Sequence, residues 1–300
     1  MRNRITLISI AAFILGACGD KHPKASDANA AEVSTVSSTP TGGSTPAPVA
    51  TPPVSFESAN AAFKQRRYDE ASRMFATYTT DQPHNVWGYY MLGLSTWKTG
   101  DRDGAVDAFK RALEQDSTHV KSHLNLTRVL IEQGKPQDAL SSVEAALKID
   151  SGSSEGFRLL GRVKSALGDA TGAIDAYHRS LVLDDRDVWS LNNLAIVYLG
   201  QGKFDQAVGP LAHAIGIDST VAAFQNNLGL VLERTGHITQ SADAYKAALG
   251  IDSTYQKASV NLTRVEGLKQ DPAIGPVDLA DVARSFVQEI EGWRSPKTTP

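Results

Sequence analysis

The sequence has little of what several common kinds of protein require. Its single cysteine among 300 residues excludes an internal disulfide framework and any zinc site built from cysteines. Its 30 basic and 33 acidic side chains give a formal charge of −3, so it has no basic excess to neutralise nucleic-acid phosphates. No apolar run reaches the roughly 18 residues of a membrane-spanning helix. The remaining composition, 41% hydrophobic and 21% charged, predicts a folded water-soluble body without a nucleic-acid partner.

The single cysteine lies at the end of an N-terminal leader. The chain begins with a basic segment, continues with the apolar stretch 5–15 and reaches Cys18 through the letters LGAC at 15–18. This order is typical of a secretory signal peptide. Residues 15–18 resemble the lipobox of bacterial lipoproteins, which implies that residues 1–17 are a signal peptide removed before Cys18. The resemblance further implies that the Cys18 thiol carries a diacylglyceryl group. The alternatives are an ordinary secreted protein with a spare thiol, or a short buried helix.

The residue after the cysteine bears on localisation. In bacterial lipoproteins an aspartate at that place is the signal for retention in the inner membrane, and here Gly19 occupies it. The resemblance therefore implies a lipid anchor in the outer membrane of the cell envelope, facing the periplasm.

Residues 18–54 predict a tether between this anchor and the folded body. The segment is rich in Ala, Ser, Thr, Pro and Gly and contains no aromatic residue. Such a composition buries too little apolar surface to offset the entropy of ordering. As a flexible coil it would span roughly 30–35 Å on average.

The rest of the chain repeats itself with a period of 34 residues. Within each unit the apolar residues follow helical spacing, which predicts two amphipathic helices joined by a short turn. A recurring glycine is expected to end the first helix in the left-handed conformation. The recurring turn glycines are Gly100, Gly134, Gly168, Gly202 and Gly236. A solenoid is thus predicted for residues 55–270, with the units 52–85, 86–119, 120–153, 154–187, 188–221 and 222–255 and a half-repeat at 256–269.

The positions of the small and large residues in each unit resemble the tetratricopeptide repeat. Its motif has a leucine and a small residue in the first helix, as at Leu160 and Gly161, then a small residue and an aromatic one in the second, as at Ala173 and Tyr177. The resemblance implies an all-α, right-handed superhelix of six to seven repeats. The chain departs from the motif at the proline between repeats, which is present only as Pro83.

A final amphipathic helix is predicted at 278–293, after a break rich in Pro and Gly. We expect it to cap the open end of the stack, which solenoids require. The alternative is that it lies in the groove of the solenoid as an internal ligand.

The sequence contains no convincing catalytic constellation. Residues 152–156 match the G-x-S-x-G pattern of serine hydrolases, but that motif requires a strand before it and a helix after it. No nucleotide-binding glycine pattern or metal-ligand spacing occurs. We therefore expect no catalytic residues, no cofactor and no metal site.

Asparagines recur at the sixth position of the repeats. In the tetratricopeptide family the first helices line the concave surface, so these amides would form a row along the groove, similar to the asparagine ladder of O-linked N-acetylglucosamine transferase. A row of donors and acceptors facing solvent could hold an extended peptide by its backbone. The alternative is that the amides bond neighbouring helices. The residues are Asn125, Asn193, Asn227 and Asn261.

Basic residues are also predicted in this groove, where they would favour acidic or C-terminal peptide segments. The alternative is an ordinary solvated face. The carboxylate clamp of chaperone-binding tetratricopeptide domains is mostly absent. The basic residues are Arg128, Arg162 and Arg264 at the ninth position, Arg158 at the fifth, and Lys121 and Lys257 at the second.

Three functional hypotheses follow. The first is a bacterial envelope lipoprotein that binds proteins or extended peptides in the groove and catalyses nothing. The second is a structural assembly subunit, pilotin-like or part of a secretion complex, that uses its outer surfaces. The third is an accessory that captures substrates for an enzyme. The partner and the oligomeric state do not follow from the sequence.

Overall fold

The computed structural model describes residues 53–294. The predicted signal peptide, Cys18 and the predicted tether up to residue 52 lie outside the described residues, as do residues 295–300. The described part of the chain consists of helices and contains no strand. The helices are α1 (Phe56–Lys64), α2 (Tyr68–Asp81), α3 (Val86–Thr99), α4 (Arg102–Gln115), α5 (Val120–Glu132), α6 (Pro136–Ile149), α7 (Ser154–Ala166), α8 (Ala170–Leu183), α9 (Val188–Gly200), α10 (Phe204–Ile217), α11 (Ala222–Arg234), α12 (Ile238–Ile251), α13 (Gln256–Glu266) and α14 (Leu279–Arg294).

The helices pair as the period predicts. Each odd-numbered helix from α1 to α11 packs against the even-numbered helix that follows it, and each pair packs against the helix that begins the next repeat. From α3 to α13, every first helix begins at the first residue of its predicted repeat. The predicted all-α repeat solenoid is confirmed.

The turn within each repeat requires a left-handed residue. The five turn glycines have φ between 70° and 92°, and in the first repeat Arg66 takes the same place with φ 61°. Glycine adopts this conformation without the Cβ clash that other residues incur. Arg66 is therefore the exception in the series.

Within a repeat, a small residue of the first helix faces a large ring of the second. At Gly161 an added Cβ would lie 2.5 Å from the Tyr177 ring, and at Gly229 it would lie 2.6 Å from the Tyr245 ring. Both rings are almost fully buried. In these repeats the first helix requires a glycine because the second helix places an aromatic ring directly against it.

Helix α14 forms where the sequence predicts it, but neither predicted position for it is correct. It packs against α8 and α10, two second helices, and makes no contact with α12 or α13. Phe286 and Ile290 are buried there, and the Cβ of Phe286 lies 3.0 Å from where a Cβ on Gly209 would be. The Trp293 ring stacks on His178 with 3.8 Å between centroids.

The connection between α13 and α14 explains why α14 packs against earlier repeats. Residues 267–278 cross the start of α12, where the Gln240 side chain donates to the Val277 carbonyl at 2.9 Å and accepts from its N–H at 2.7 Å. The apolar stripe of α14 is therefore buried on the outer side of the fourth and fifth repeats rather than at the end of the stack. No helix among residues 53–294 is both long enough and apolar enough to cross a membrane.

Candidate functional site

The first helices form a continuous inner layer. Each of α1, α3, α5, α7, α9 and α11 contacts the next first helix, whereas the second helices, α2, α4, α6, α8, α10 and α12, make no contacts with one another. We number each repeat from the first residue of its first helix. We call the face formed by positions 2, 5, 6 and 9 of helices α3 to α13 the groove.

A chain of asparagine amides crosses three helices of the groove. Asn261 donates to Asn226 at 3.0 Å, and Asn226 donates to Asn227 at 3.3 Å. Asn227 donates to Asn192 at 2.8 Å, and Asn192 donates to Asn193 at 3.4 Å. Each amide except the last thus donates to the next one, and the chain links α13, α11 and α9.

Two members of this chain were not predicted from the sequence. Asn192 and Asn226 stand at the fifth position and are 2% and 4% exposed. The signal that could have found them is the spacing of 35 residues, which joins the fifth position of one repeat to the sixth position of the next.

Asn125 belongs to a separate cluster. Its amide nitrogen donates to the Tyr90 hydroxyl at 3.2 Å and to the Lys121 carbonyl at 3.1 Å, and its oxygen accepts from Arg128 at 2.8 Å. Asn125 and Asn193 are 7% and 9% exposed, so most of each side chain is buried and only a small part faces the solvent. The structure brings all four predicted asparagines into bonds with neighbouring side chains.

Three of the four predicted groove arginines are paired with carboxylates of this chain. Arg128 donates to Glu155, and Arg158 donates to both oxygens of Asp187 at 2.8 Å. Arg264 donates to the two oxygens of Glu233 at 2.9 and 2.5 Å. These hydrogen bonds to Glu233 raise the pKa of Arg264 above its usual value. These three arginines therefore do not form the ordinary solvated face that was the alternative prediction.

The other predicted basic residues differ. Arg162 is half-buried and forms no hydrogen bond or ion pair with any residue in 53–294. Lys121 is exposed, with its ammonium 5.3 Å from the centroid of the Trp87 ring. Lys257 is exposed on the last first helix.

Aromatic side chains line part of the groove. Trp87 is 47% exposed and makes edge contacts with Tyr90 and His119, at 5.6 and 4.8 Å between centroids. Trp189 is 36% exposed and packs its edge on Phe224 at 5.3 Å. Both tryptophans stand at position 2, three repeats apart. Burial lowers the pKa of His119, so its imidazole stays neutral to a lower pH than an ordinary histidine.

Comparisons with known proteins identify the repeat. One model described as a tetratricopeptide repeat matches residues 97–163, and a second with the same description matches 56–120 and 192–255. Together they cover more than half of the chain. No curated protein matches the sequence significantly.

Solved structures agree with the fold. A tetratricopeptide repeat protein from Parabacteroides merdae has a TM-score of 0.57 and 12% identity, with 70% of this chain and 82% of that one covered. For pilF of Pseudomonas aeruginosa the TM-score is 0.56 and the identity 17%, with 69% and 91% covered. A thermophilic TPR protein of Thermus thermophilus has a TM-score of 0.53 and 18% identity, with 61% and 100% covered. At these identities the likeness shows the fold alone.

Proposed function

Because this chain belongs to the tetratricopeptide-repeat family, we propose that it is a lipid-anchored scaffold of the bacterial cell envelope whose groove binds a protein or an extended peptide. Repeats of this family are scaffolds suited to binding proteins and peptides. The proposed anchor is Cys18, and the proposed location is the outer membrane facing the periplasm. The proposal includes no catalysed reaction.

The observation that carries the proposal is the pair of exposed tryptophans in the groove. An indole that is 47% or 36% exposed leaves a large apolar area in water. Tryptophan is, with tyrosine and arginine, one of the residue types enriched among the few that dominate binding energy at interfaces. Basic groups lie close to this apolar surface, since the Lys121 ammonium sits beside the Trp87 ring. The groove thus offers apolar anchors together with positive charge.

An interface through the outer surface is the second candidate. One observation favours it, an open cavity of about 480 Å³ between the second helices α2 and α4, lined among others by Ala76, Thr80, Asp107 and Arg111. On the fourth and fifth repeats the corresponding side is covered by α14. An outer-surface partner would therefore not reach the parts of α8 and α10 that α14 covers, whereas the cavity on the N-terminal repeats is open to it.

The test begins with a partner captured by crosslinking in native membranes and identified by mass spectrometry. Its affinity is then measured for the wild type and for a Trp87→Ala, Trp189→Ala double variant. We expect the groove variant to lose more than about tenfold in affinity, because each buried interface tryptophan contributes roughly 2 kcal/mol or more. The matched control is the Ile149→Ala, Ile251→Ala double variant, which removes apolar side chains 42% and 40% exposed at the ends of second helices.

The two candidates give opposite results. A groove ligand is lost with the tryptophans and kept by the control. The melting curve of each variant shows that it remains folded at the temperature of the binding measurement. Full binding by the tryptophan variant would refute the groove. Loss of binding on substituting Thr80 and Arg111 would then support the outer cavity.

A further inference from the structure

One arginine of the groove has no acidic partner among residues 53–294. Arg128, Arg158 and Arg264 each bind a carboxylate of this chain, whereas Arg162 forms no hydrogen bond or ion pair there. Arg162 is half-buried, and no group among residues 53–294 accepts a hydrogen bond from its guanidinium. A cation in that position is stabilised by a ligand that supplies negative charge.

The repeat register explains why Arg162 lacks a partner. Arg128 at position 9 binds Glu155 at position 2 of the next repeat, a step of 27 residues. The same step from Arg162 leads to Trp189 instead of an acid. Two acidic residues of its own repeat already bind other arginines, since Glu155 accepts from Arg128 and Asp187 accepts from Arg158.

Two further groups lie on the neighbouring helix. Trp189 and Asn193 are four residues apart on α9, so they share one face of that helix. Trp189 is 36% exposed. Asn193 is the last acceptor of the amide chain, and its own amide nitrogen donates to no residue that the structure describes.

We infer that Arg162, Trp189 and Asn193 form a subsite for a peptide carboxylate that lies next to a large apolar side chain. Arg162 supplies the charged donors, the Asn193 amide supplies a neutral donor and Trp189 covers the apolar side chain. This inference rests on the proposed function, since it assigns a ligand chemistry to the groove. The carboxylate is either the C-terminus of the peptide or an acidic side chain within it.

The test uses three synthetic probes of the same length with acetylated N-termini. The first ends in a free leucine carboxylate, the second is its C-terminal amide, and the third is amidated with an internal glutamate before leucine. Affinity is measured by calorimetry for the wild type, Arg162→Gln and Arg162→Lys. Arg284→Gln is the matched control, because it removes an exposed positive charge on α14, outside the groove. The NMR resonance of the Trp189 indole N–H is identified as the one that is missing in Trp189→Phe. A shift of this resonance shows that the peptide binds beside Trp189.

We expect a carboxylate probe to bind the wild type, to shift the Trp189 resonance and to lose about tenfold or more in affinity with Arg162→Gln. The Arg284→Gln variant should bind as the wild type does, and Arg162→Lys should recover part of the affinity. Binding of the first probe alone identifies a C-terminal carboxylate, and binding of the third identifies an acidic side chain.

Several outcomes overturn the inference: no binding of either carboxylate probe at millimolar concentration, equal binding of the simple amide, or full binding by Arg162→Gln. The proposed function has a separate test. If the captured partner needs the two tryptophans but tolerates Arg162→Gln, the groove function stands and this subsite does not. If the captured partner binds equally well without the two tryptophans and without Arg162, the proposed function fails.

Discussion

Arg66→Gly should stabilise the first repeat. Arg66 has φ 61° in a turn where the five later repeats place glycine. Its backbone N–H donates to the Phe63 carbonyl at 2.9 Å, a bond that glycine keeps. The side chain is exposed and forms no hydrogen bond or ion pair with any described residue, so little is lost when it is removed.

The magnitude follows from two opposing terms. A residue other than glycine in the left-handed region is disfavoured by about 1–2 kcal/mol. Glycine returns roughly 0.5–1 kcal/mol of this through its greater freedom in the unfolded chain. The free energy of unfolding of the first repeat should therefore rise by about 0.5–1 kcal/mol.

Hydrogen exchange is the suitable assay because repeat arrays open locally. We expect exchange across α1 and α2 to slow about two- to fivefold, the factor that corresponds to this free energy. The reciprocal control is Gly134→Arg, at φ 70°, where an added Cβ meets no atom within 4 Å. Any loss of stability in Gly134→Arg therefore comes from the backbone alone. This loss should speed hydrogen exchange across α5 and α6. Unchanged or faster exchange in Arg66→Gly, beside the expected loss in Gly134→Arg, would refute the reasoning.

Three further predictions concern the core, α14 and the anchor. Leu194 is fully buried, so Leu194→Ala should cost about 2–5 kcal/mol and speed hydrogen exchange first in the central repeats; a uniform rise across the solenoid would contradict the local coupling. Burial beneath Trp293 lowers the pKa of His178, so α14 should pack fully above pH of about 6.5 and lose stability as pH falls below it. In His178→Gln the difference between the urea midpoints at neutral pH and at pH of about 5.5 should shrink. An unchanged difference would exclude His178 as the cause of the loss of stability at low pH. Cys18→Ser should abolish metabolic palmitate labelling and leave an uncleaved precursor, whereas labelling equal to the wild type would exclude the anchor.

The sequence determined the architecture because a repeat depends on short-range contacts. Helical spacing, the turn glycines and the small residues each act within one repeat or between neighbours, and all recur every 34 residues. Gly161 is an example, since the ring that it faces, Tyr177, belongs to the same repeat.

The positions of the groove residues could be predicted, but their partners could not. The period places Asn227 and Arg162 on the first helices. It does not reveal that Asn227 bonds to Asn192, or that Arg162 alone among the groove arginines lacks an acid within residues 53–294. Such pairing depends on side-chain reach between helices, which becomes known only when the crossing geometry is fixed.

The placement of α14 was decided by tertiary structure alone. An apolar stripe shows that one face of a helix must be buried, but not against which surface. The deciding features lie far away in the chain. Gly209 leaves room for Phe286, His178 offers a ring to Trp293, and the Val182 carbonyl accepts from Arg294 at 3.1 Å. Because those partners precede the α14 residues that they contact by 77 to 115 residues, no local pattern contains them, and the helix packs where the folded repeats leave a complementary surface.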